Sequence, residues 1–324
     1  MDVRRAGLLL GLAGVLAAAG CSGAAAPRAE TPASHQAAYP SPTPTPSPSP
    51  KAEPAGPYVA LGDSYTSGLG VEPKAGEPSG CGRSGVNYPS LVARAIGASG
   101  AGFTDVSCSG ATTADLTAAQ RTAGGTNGPQ LDALSAATRL VTLGIGGNDA
   151  GFVGVVTECA AQGLKQVLGL VKGTDAPCRR HYTENGRDEL QRRVETVGAR
   201  LDVALRQIRE RAPRAKVYVV GYPALLPADG AACEQTLGQG VSAGDLGFLR
   251  EKEGALNTVL AEHAKAAGAA YVDTSTPSAG HDMCAGSGIR WVEPPLPDPG
   301  LAPVHPNALG QQGMAAAVLA AVRG

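Results

Sequence analysis

Tyr58-Val59-Ala60-Leu61-Gly62-Asp63-Ser64-Tyr65-Thr66-Ser67-Gly68 is the stretch on which the fold turns. An apolar run without polar alternation reads as a strand buried on both faces. The glycines around Asp63–Ser67 mark a sharp turn at its carboxyl end. The pattern of a short β-rich run followed by a turn returns at Gly102–Ser107, Arg139–Ile145, Lys216–Val220 and Ala270–Asp273. Amphipathic spans between them predict helices at Tyr88–Ile96, Gln130–Ala137, within 151–171, and at Arg187–Arg211, Asp245–Ala267 and Asn307–Val322. Such alternation predicts an α/β fold in which a five-stranded parallel sheet lies between two layers of helices. Binding sites in these sheets gather beyond the carboxyl ends of the strands.

The 324 residues are 43% apolar and 17% charged, enough for one large core and too little charge for a disordered polyelectrolyte. With 27 Lys and Arg against 28 Asp and Glu, and no basic run, nucleic acid is not an expected partner.

Arg4 and Arg5 precede an apolar stretch, Ala6–Gly20, that is shorter than the roughly 20 residues needed to span a bilayer, so 1–20 reads as an export signal. Leu16-Ala17-Ala18-Ala19-Gly20-Cys21 resembles the lipobox of bacterial lipoproteins, with Ala18 where that motif most often has leucine. The resemblance implies lipidation of Cys21 and a membrane anchor, with cleavage at a nearby small-residue site and simple secretion as the alternative. Residues 21–56 include Ser-Pro-Thr-Pro-Thr-Pro-Ser-Pro-Ser-Pro at 41–50 and read as an extended tether. Residues 57–324 then form one domain, expected to be monomeric.

Apart from Cys21 the cysteines are Cys81, Cys108, Cys159, Cys178, Cys233 and Cys284. An even number in an exported chain reads as three disulfides, for which 15 connectivities exist; sequential pairing, closing loops of moderate length, is the expectation. Neither C-x-x-C nor H-E-x-x-H occurs, so no metal site or cofactor is expected.

Four strand-end and helix-start features carry chemistry. Ser64 leaves the first strand on a glycine-flanked turn; Gly110 follows the second; Gly146-Gly147-Asn148-Asp149 follows the third; and His305-Pro306-Asn307 precedes the last helix, whose positive end favours a neutral imidazole. Each alone is ordinary: a turn serine, a turn glycine, a loop amide, a structural histidine. In this order they resemble the SGNH hydrolases, also called GDSL esterases and lipases, over essentially all of 57–324. The cysteine pattern and Pro129-Gln130-Leu131 are similar to the secreted actinobacterial branch.

The resemblance implies a flavodoxin-like three-layer fold, Ser64 as nucleophile, His305 as general base, and an oxyanion hole from the Ser64 and Gly110 N–H groups and the Asn148 amide. The family usually carries Asp-x-x-His, whereas this chain has Ala302-Pro303-Val304-His305. A backbone carbonyl, that of Ala302, is therefore expected to orient the imidazole in a Ser–His dyad, with Asp298 as the fallback. Asp63 orders or caps the nucleophile turn. His281 is a rival base ranked below His305, and Trp291 is expected to pack rather than line an acyl pocket.

The expected activity is cleavage of carboxylic esters, of a lipid or an acylated glycan, through an acyl-enzyme. The alternatives are a polysaccharide or wall-glycan O-deacetylase with the same site, or a surface-binding module without turnover.

Overall fold

The computed structural model describes residues 56–184, 186–228, 233–237 and 241–324. The expected export signal, Cys21 and all of the expected tether but Gly56 lie outside these residues. The strands, in chain order, are β1 (Tyr58–Gly62), β2 (Phe103–Asp105), β3 (Gln120–Thr122), β4 (Gly125–Asn127), β5 (Leu140–Gly144), β6 (Lys216–Val220) and β7 (Ala270–Val272). The helices are α1 (Ser64–Ser67), α2 (Tyr88–Ala95), α3 (Gly147–Ala150), α4 (Phe152–Val167), α5 (Pro177–Thr183), α6 (Glu189–Arg211), α7 (Glu234–Leu237), α8 (Ala243–Ala266) and α9 (Ala308–Arg323).

The main sheet is five-stranded in the order β2-β1-β5-β6-β7, with every neighbouring pair parallel. Successive strand residues face opposite sides, so the apolar runs divide between two cores. Val59, Leu61, Val141, Leu143 and Val219 pack on the side of α4, α6 and α8. Tyr58, Ala60, Leu140, Tyr218 and Val220 pack on the side of α2 and α9. Each large side chain buried in this way stabilises the fold by roughly 1.5–3 kcal/mol before the entropic cost of ordering. Helix ends are capped as their sequences specify: Asn87 Oδ1 accepts from Ser90 N–H, Asp188 Oδ1 from Gln191 N–H and Asn307 Oδ1 from Gly310 N–H.

Three disulfides join Cys81 to Cys108, Cys159 to Cys178 and Cys233 to Cys284. The first holds the loop after β2, and the second ties α5 to the middle of α4.

Two local expectations need correction. The helix expected over Gln130–Ala137 is a single 3-10 turn, Gln130–Ala133, because Leu134 is extended and the Thr138 hydroxyl accepts from Ser135 N–H, closing a polar turn that ends the helix. The short antiparallel β3–β4 hairpin occupies a stretch for which no element was expected.

Candidate active site

The turn that carries Ser64 is shaped first by Gly62. In parallel register it pairs with Gly144, and at its φ of 153° a Cβ would sit 2.5 Å from the Gly144 carbonyl oxygen. Only glycine lets the strand ends approach so closely. Gln130 clamps the same residue: its Oε1 accepts from Gly62 N–H (2.8 Å) and its Nε2 donates to Gly62 O (2.9 Å). The chain then enters α1, where Asp63 is the N-cap and its Oδ1 accepts from Tyr65 N–H (2.9 Å). Ser64 is the first residue of that helix, a position whose N–H has no intrahelical acceptor.

His305 meets it from the far end of the chain. Its Nε2 lies 2.7 Å from Ser64 Oγ across 241 residues of sequence. Its Nδ1 lies 2.6 Å from the Pro303 carbonyl oxygen. A carbonyl only accepts, so Nδ1 carries the hydrogen and Nε2 is left with a lone pair toward the serine hydroxyl. Burial lowers the His305 pKa, with the Pro303 hydrogen bond opposing it. The ring is thus biased toward its neutral form.

The group that orients His305 is one residue from the one expected. The carbonyl belongs to Pro303, not Ala302. Val304 adopts a left-handed conformation (φ 59°), which curls the chain and turns the preceding carbonyl back onto the ring. Such a conformation costs a β-branched residue roughly 1–3 kcal/mol. It is held because Val304 is buried and its carbonyl accepts from Tyr65 Oη at 2.5 Å. Asp298, the fallback, is exposed, and the His305 ring bonds Pro303 and Ser64 instead of it.

Asn148 and Gly110 approach from two other strand ends. Asn148 lies in α3, and its amide donates one hydrogen to Ala111 O at 2.9 Å, which fixes the direction of the second. Gly110 (φ 78°) lies in the loop beyond Cys108, whose N–H donates to Gly62 O (2.9 Å). The Gly110 N–H makes no hydrogen bond within the described residues. Asp149 braces the next turn: its carboxylate accepts from Thr113 N–H (2.9 Å) and Thr113 Oγ1 (2.5 Å) and pairs with Arg200 (2.8 Å). Ser64 and Asn148 line one cavity of about 450 Å³, counting its open mouth.

The remaining expected residues sit elsewhere. His281 stacks on Trp291 and meets the Ile289 carbonyl (2.6 Å), while Trp291 packs over Gly313 and does not line the serine cavity. His263 pairs with Asp202 between α8 and α6, and His181 is exposed beside Tyr182. His35 lies outside the described residues.

Four further residues belong to the site. Tyr222 Oη donates to Asp63 Oδ2 (2.6 Å) and accepts from Gly147 N–H (2.8 Å), joining the serine turn to the asparagine turn. Asn257 holds the Tyr222 backbone through both its N–H and its carbonyl. The Tyr65 ring lies tilted against the His305 ring, centroids 5.0 Å apart, while its hydroxyl donates to the Val304 carbonyl. Glu253, on α8, lines the serine cavity and accepts from Leu225 N–H (2.8 Å). Burial raises the Glu253 carboxyl to about 8 and the Asp63 carboxyl to about 6, the latter against the lowering effect of the Tyr222 and Tyr65 hydrogen bonds. Signals for two of them exist in the sequence. Tyr222 stands just past the carboxyl end of β6, and Glu253 interrupts the apolar spacing Leu249, Leu256, Leu260.

A second cavity of about 1160 Å³, counting its mouth, adjoins the first and shares Phe152, Val153, Leu225 and Val304 with it. Its other walls include Val156, Leu226, Leu249 and Met283, so its surface is overwhelmingly apolar.

Similarity to known proteins fits this arrangement. The GDSL-like Lipase/Acylhydrolase family model matches residues 60–312. The chain is 43% identical over 267 residues to Lipase 2 of Streptomyces coelicolor, covering 82% of this chain and 85% of that one. Among solved structures, phospholipase A1 from Streptomyces albidoflavus NA297 aligns with a TM-score of 0.66 at 33% identity, over 83% of this chain and all of that one. The extracellular lipase from Streptomyces rimosus aligns with a TM-score of 0.63 at 32% identity, over 82% of this chain and all of that one. The chain belongs to the GDSL-like lipase/acylhydrolase family of carboxylic ester hydrolases.

Proposed function

We propose that this ester hydrolase is an exported lipase or esterase that works through an acyl-enzyme on Ser64, with His305 as general base. The 2.7 Å contact between His305 Nε2 and Ser64 Oγ carries this reading. As Oγ attacks the ester carbonyl carbon, its proton passes to Nε2, and the resulting imidazolium keeps its Nδ1 hydrogen on Pro303 O. The carbonyl oxygen gains negative charge, which in this reading the Ser64 and Gly110 N–H groups and the Asn148 amide meet. Collapse of the intermediate releases the alcohol, protonated from Nε2, and leaves the acyl group on Ser64. Water then attacks, giving its proton to Nε2, and the carboxylic acid leaves with Oγ regaining its hydrogen. No metal or cofactor enters these steps.

The adjoining apolar cavity supports a fatty acyl chain as the group transferred. It would stand largely empty with an acetyl group, which favours lipid esters over O-deacetylation of a glycan. The names of the S. coelicolor and S. albidoflavus relatives point the same way. Three disulfides support export, since such bonds persist in oxidising compartments, and the lipobox-like sequence at Cys21 supports a membrane anchor.

Hydrolysis of p-nitrophenyl esters from acetate to palmitate by wild type and Ser64→Ala tests the assignment. The wild type should favour medium and long chains and react with a fluorophosphonate, and Ser64→Ala should do neither. Equal rates in the two proteins, or labelling that survives the substitution, would remove Ser64 as nucleophile.

A further inference from the structure

Helix α4 begins at the serine cavity and ends at an uncovered apolar surface. Its exposed residues are Val153, Gly154, Thr157, Leu164, Lys165 and Val167, of which only Lys165 is charged. The solvent side of a surface helix ordinarily carries its charged and polar residues. Here Val153, Thr157, Ala160, Leu164 and Leu168 follow one another at spacings of three and four along one face. The first three line the apolar cavity beside Ser64. Past the helix end the same surface continues through Leu168, 63% exposed, and Leu170, 73% exposed. On the opposite lip of the cavity Leu296 is 93% exposed.

The charges beside this surface are mostly positive. From Ala160 to His181 the chain carries the cations Lys165, Lys172, Arg179 and Arg180 and a single carboxylate, Asp175, although the whole protein has a formal charge of -1. All four cations are exposed. The fold holds them alongside α4 and its end: Leu170 N–H bonds the Lys165 carbonyl, Arg180 donates to the Lys172 carbonyl (3.1 Å), and the Cys159–Cys178 bridge ties α5 to α4.

We propose that the carboxyl-terminal end of α4 and the loop to Leu170 form a docking surface for an anionic phospholipid bilayer, with Leu164, Val167, Leu168 and Leu170 entering the acyl region and the four cations meeting phosphate. Apolar side chains rimmed by cations suit such an interface, where area and charge attraction add. Docking there sets the helix face that leads to Ser64 against the lipid, so an acyl chain passes from bilayer to cavity along an apolar wall. The functional reason rests on the ester-hydrolase reading above, but the docking itself is measured without turnover.

The experiment uses the full chain carrying Cys21→Ser, to exclude an acyl anchor, and Ser64→Ala, to exclude hydrolysis. Sedimentation with phosphatidylcholine vesicles containing or lacking phosphatidylglycerol gives the partition coefficient. Binding should rise with phosphatidylglycerol, weaken with salt, and fall roughly tenfold or more in Leu168→Asp/Leu170→Asp and in Lys165→Glu/Lys172→Glu. With Ser64 intact, the same pairs of substitutions should leave hydrolysis of a soluble short-chain ester unchanged, which also reports correct folding. No vesicle binding, or binding indifferent to both pairs, overturns the proposal. So does a concentration-dependent dimer abolished by Leu168→Asp/Leu170→Asp, which would assign the surface to a second copy. Because binding is read in Ser64→Ala, a wild type that hydrolyses no ester would overturn the hydrolase reading without altering the vesicle result.

Discussion

Replacing Glu253 with glutamine tests the electrostatics of the site on a quantity that can be worked in advance. Burial raises this carboxyl from 4.5 to about 8 in the folded protein. Below pH 4.5 both folded and unfolded chains hold the proton, and the wild type has its full stability. As pH rises toward about 8, the unfolded chain releases the proton while the folded one retains it, so stability falls across that window. Between pH about 5 and about 8 the loss amounts to about 3.5 kcal/mol. Glu253→Gln keeps an oxygen for the Leu225 N–H and does not titrate. Asp63 and His305 contribute equally to both proteins and cancel in the difference. Urea unfolding of the two proteins across this range should therefore show the variant gaining on the wild type as pH rises. The urea midpoint should move by about 1 M in relative terms for a slope of about 3 kcal/mol/M. Parallel curves for the two proteins would refute the assignment of a protonated carboxyl to the cavity wall.

Asn148→Ala should lower kcat by about 10² to 10³ with little change in KM, since a donor aimed at the developing oxyanion acts in the transition state; a change confined to KM counts against that role. Asp298→Asn should leave kcat/KM and its pH profile unchanged, and the acid limb of that profile should fall below the ordinary imidazole value of 6.5 because burial lowers the His305 pKa. A large loss on Asp298→Asn would restore a carboxylate to the mechanism. Tyr222→Phe strips the Asp63 carboxylate and Gly147 N–H of their shared partner, so it should cost about 2 to 4 kcal/mol in unfolding and depress kcat more than KM. A thermal and kinetic profile matching wild type would show that the two turns hold their positions without that hydroxyl.

What the sequence discloses here is set by how local the cause is. The central strands β1 and β5 are legible because their residues are buried on both faces, and β6 is found at its predicted limits, Lys216–Val220. The strand-end features are legible because glycines and polar side chains punctuate apolar runs. The orienting carbonyl is not, because it depends on Val304 taking a left-handed backbone conformation that a β-branched residue ordinarily avoids. Tyr222 and Asp63 are 159 residues apart, and no periodicity relates them. Gln130 could be noted as part of a run, but its grip on both polar groups of Gly62 is a tertiary fact. The misplaced helix at 130–137 has the same origin. Its apolar spacing is helical, yet its first residue is fastened to another strand's end.

The contact between His305 and the Pro303 carbonyl also bears on inheritance. A supporting aspartate can be erased by one codon change, whereas every amino acid brings a peptide oxygen with it. The prop beneath this imidazole is therefore encoded by the path of the chain, and drift at position 303 abolishes it only by bending that path.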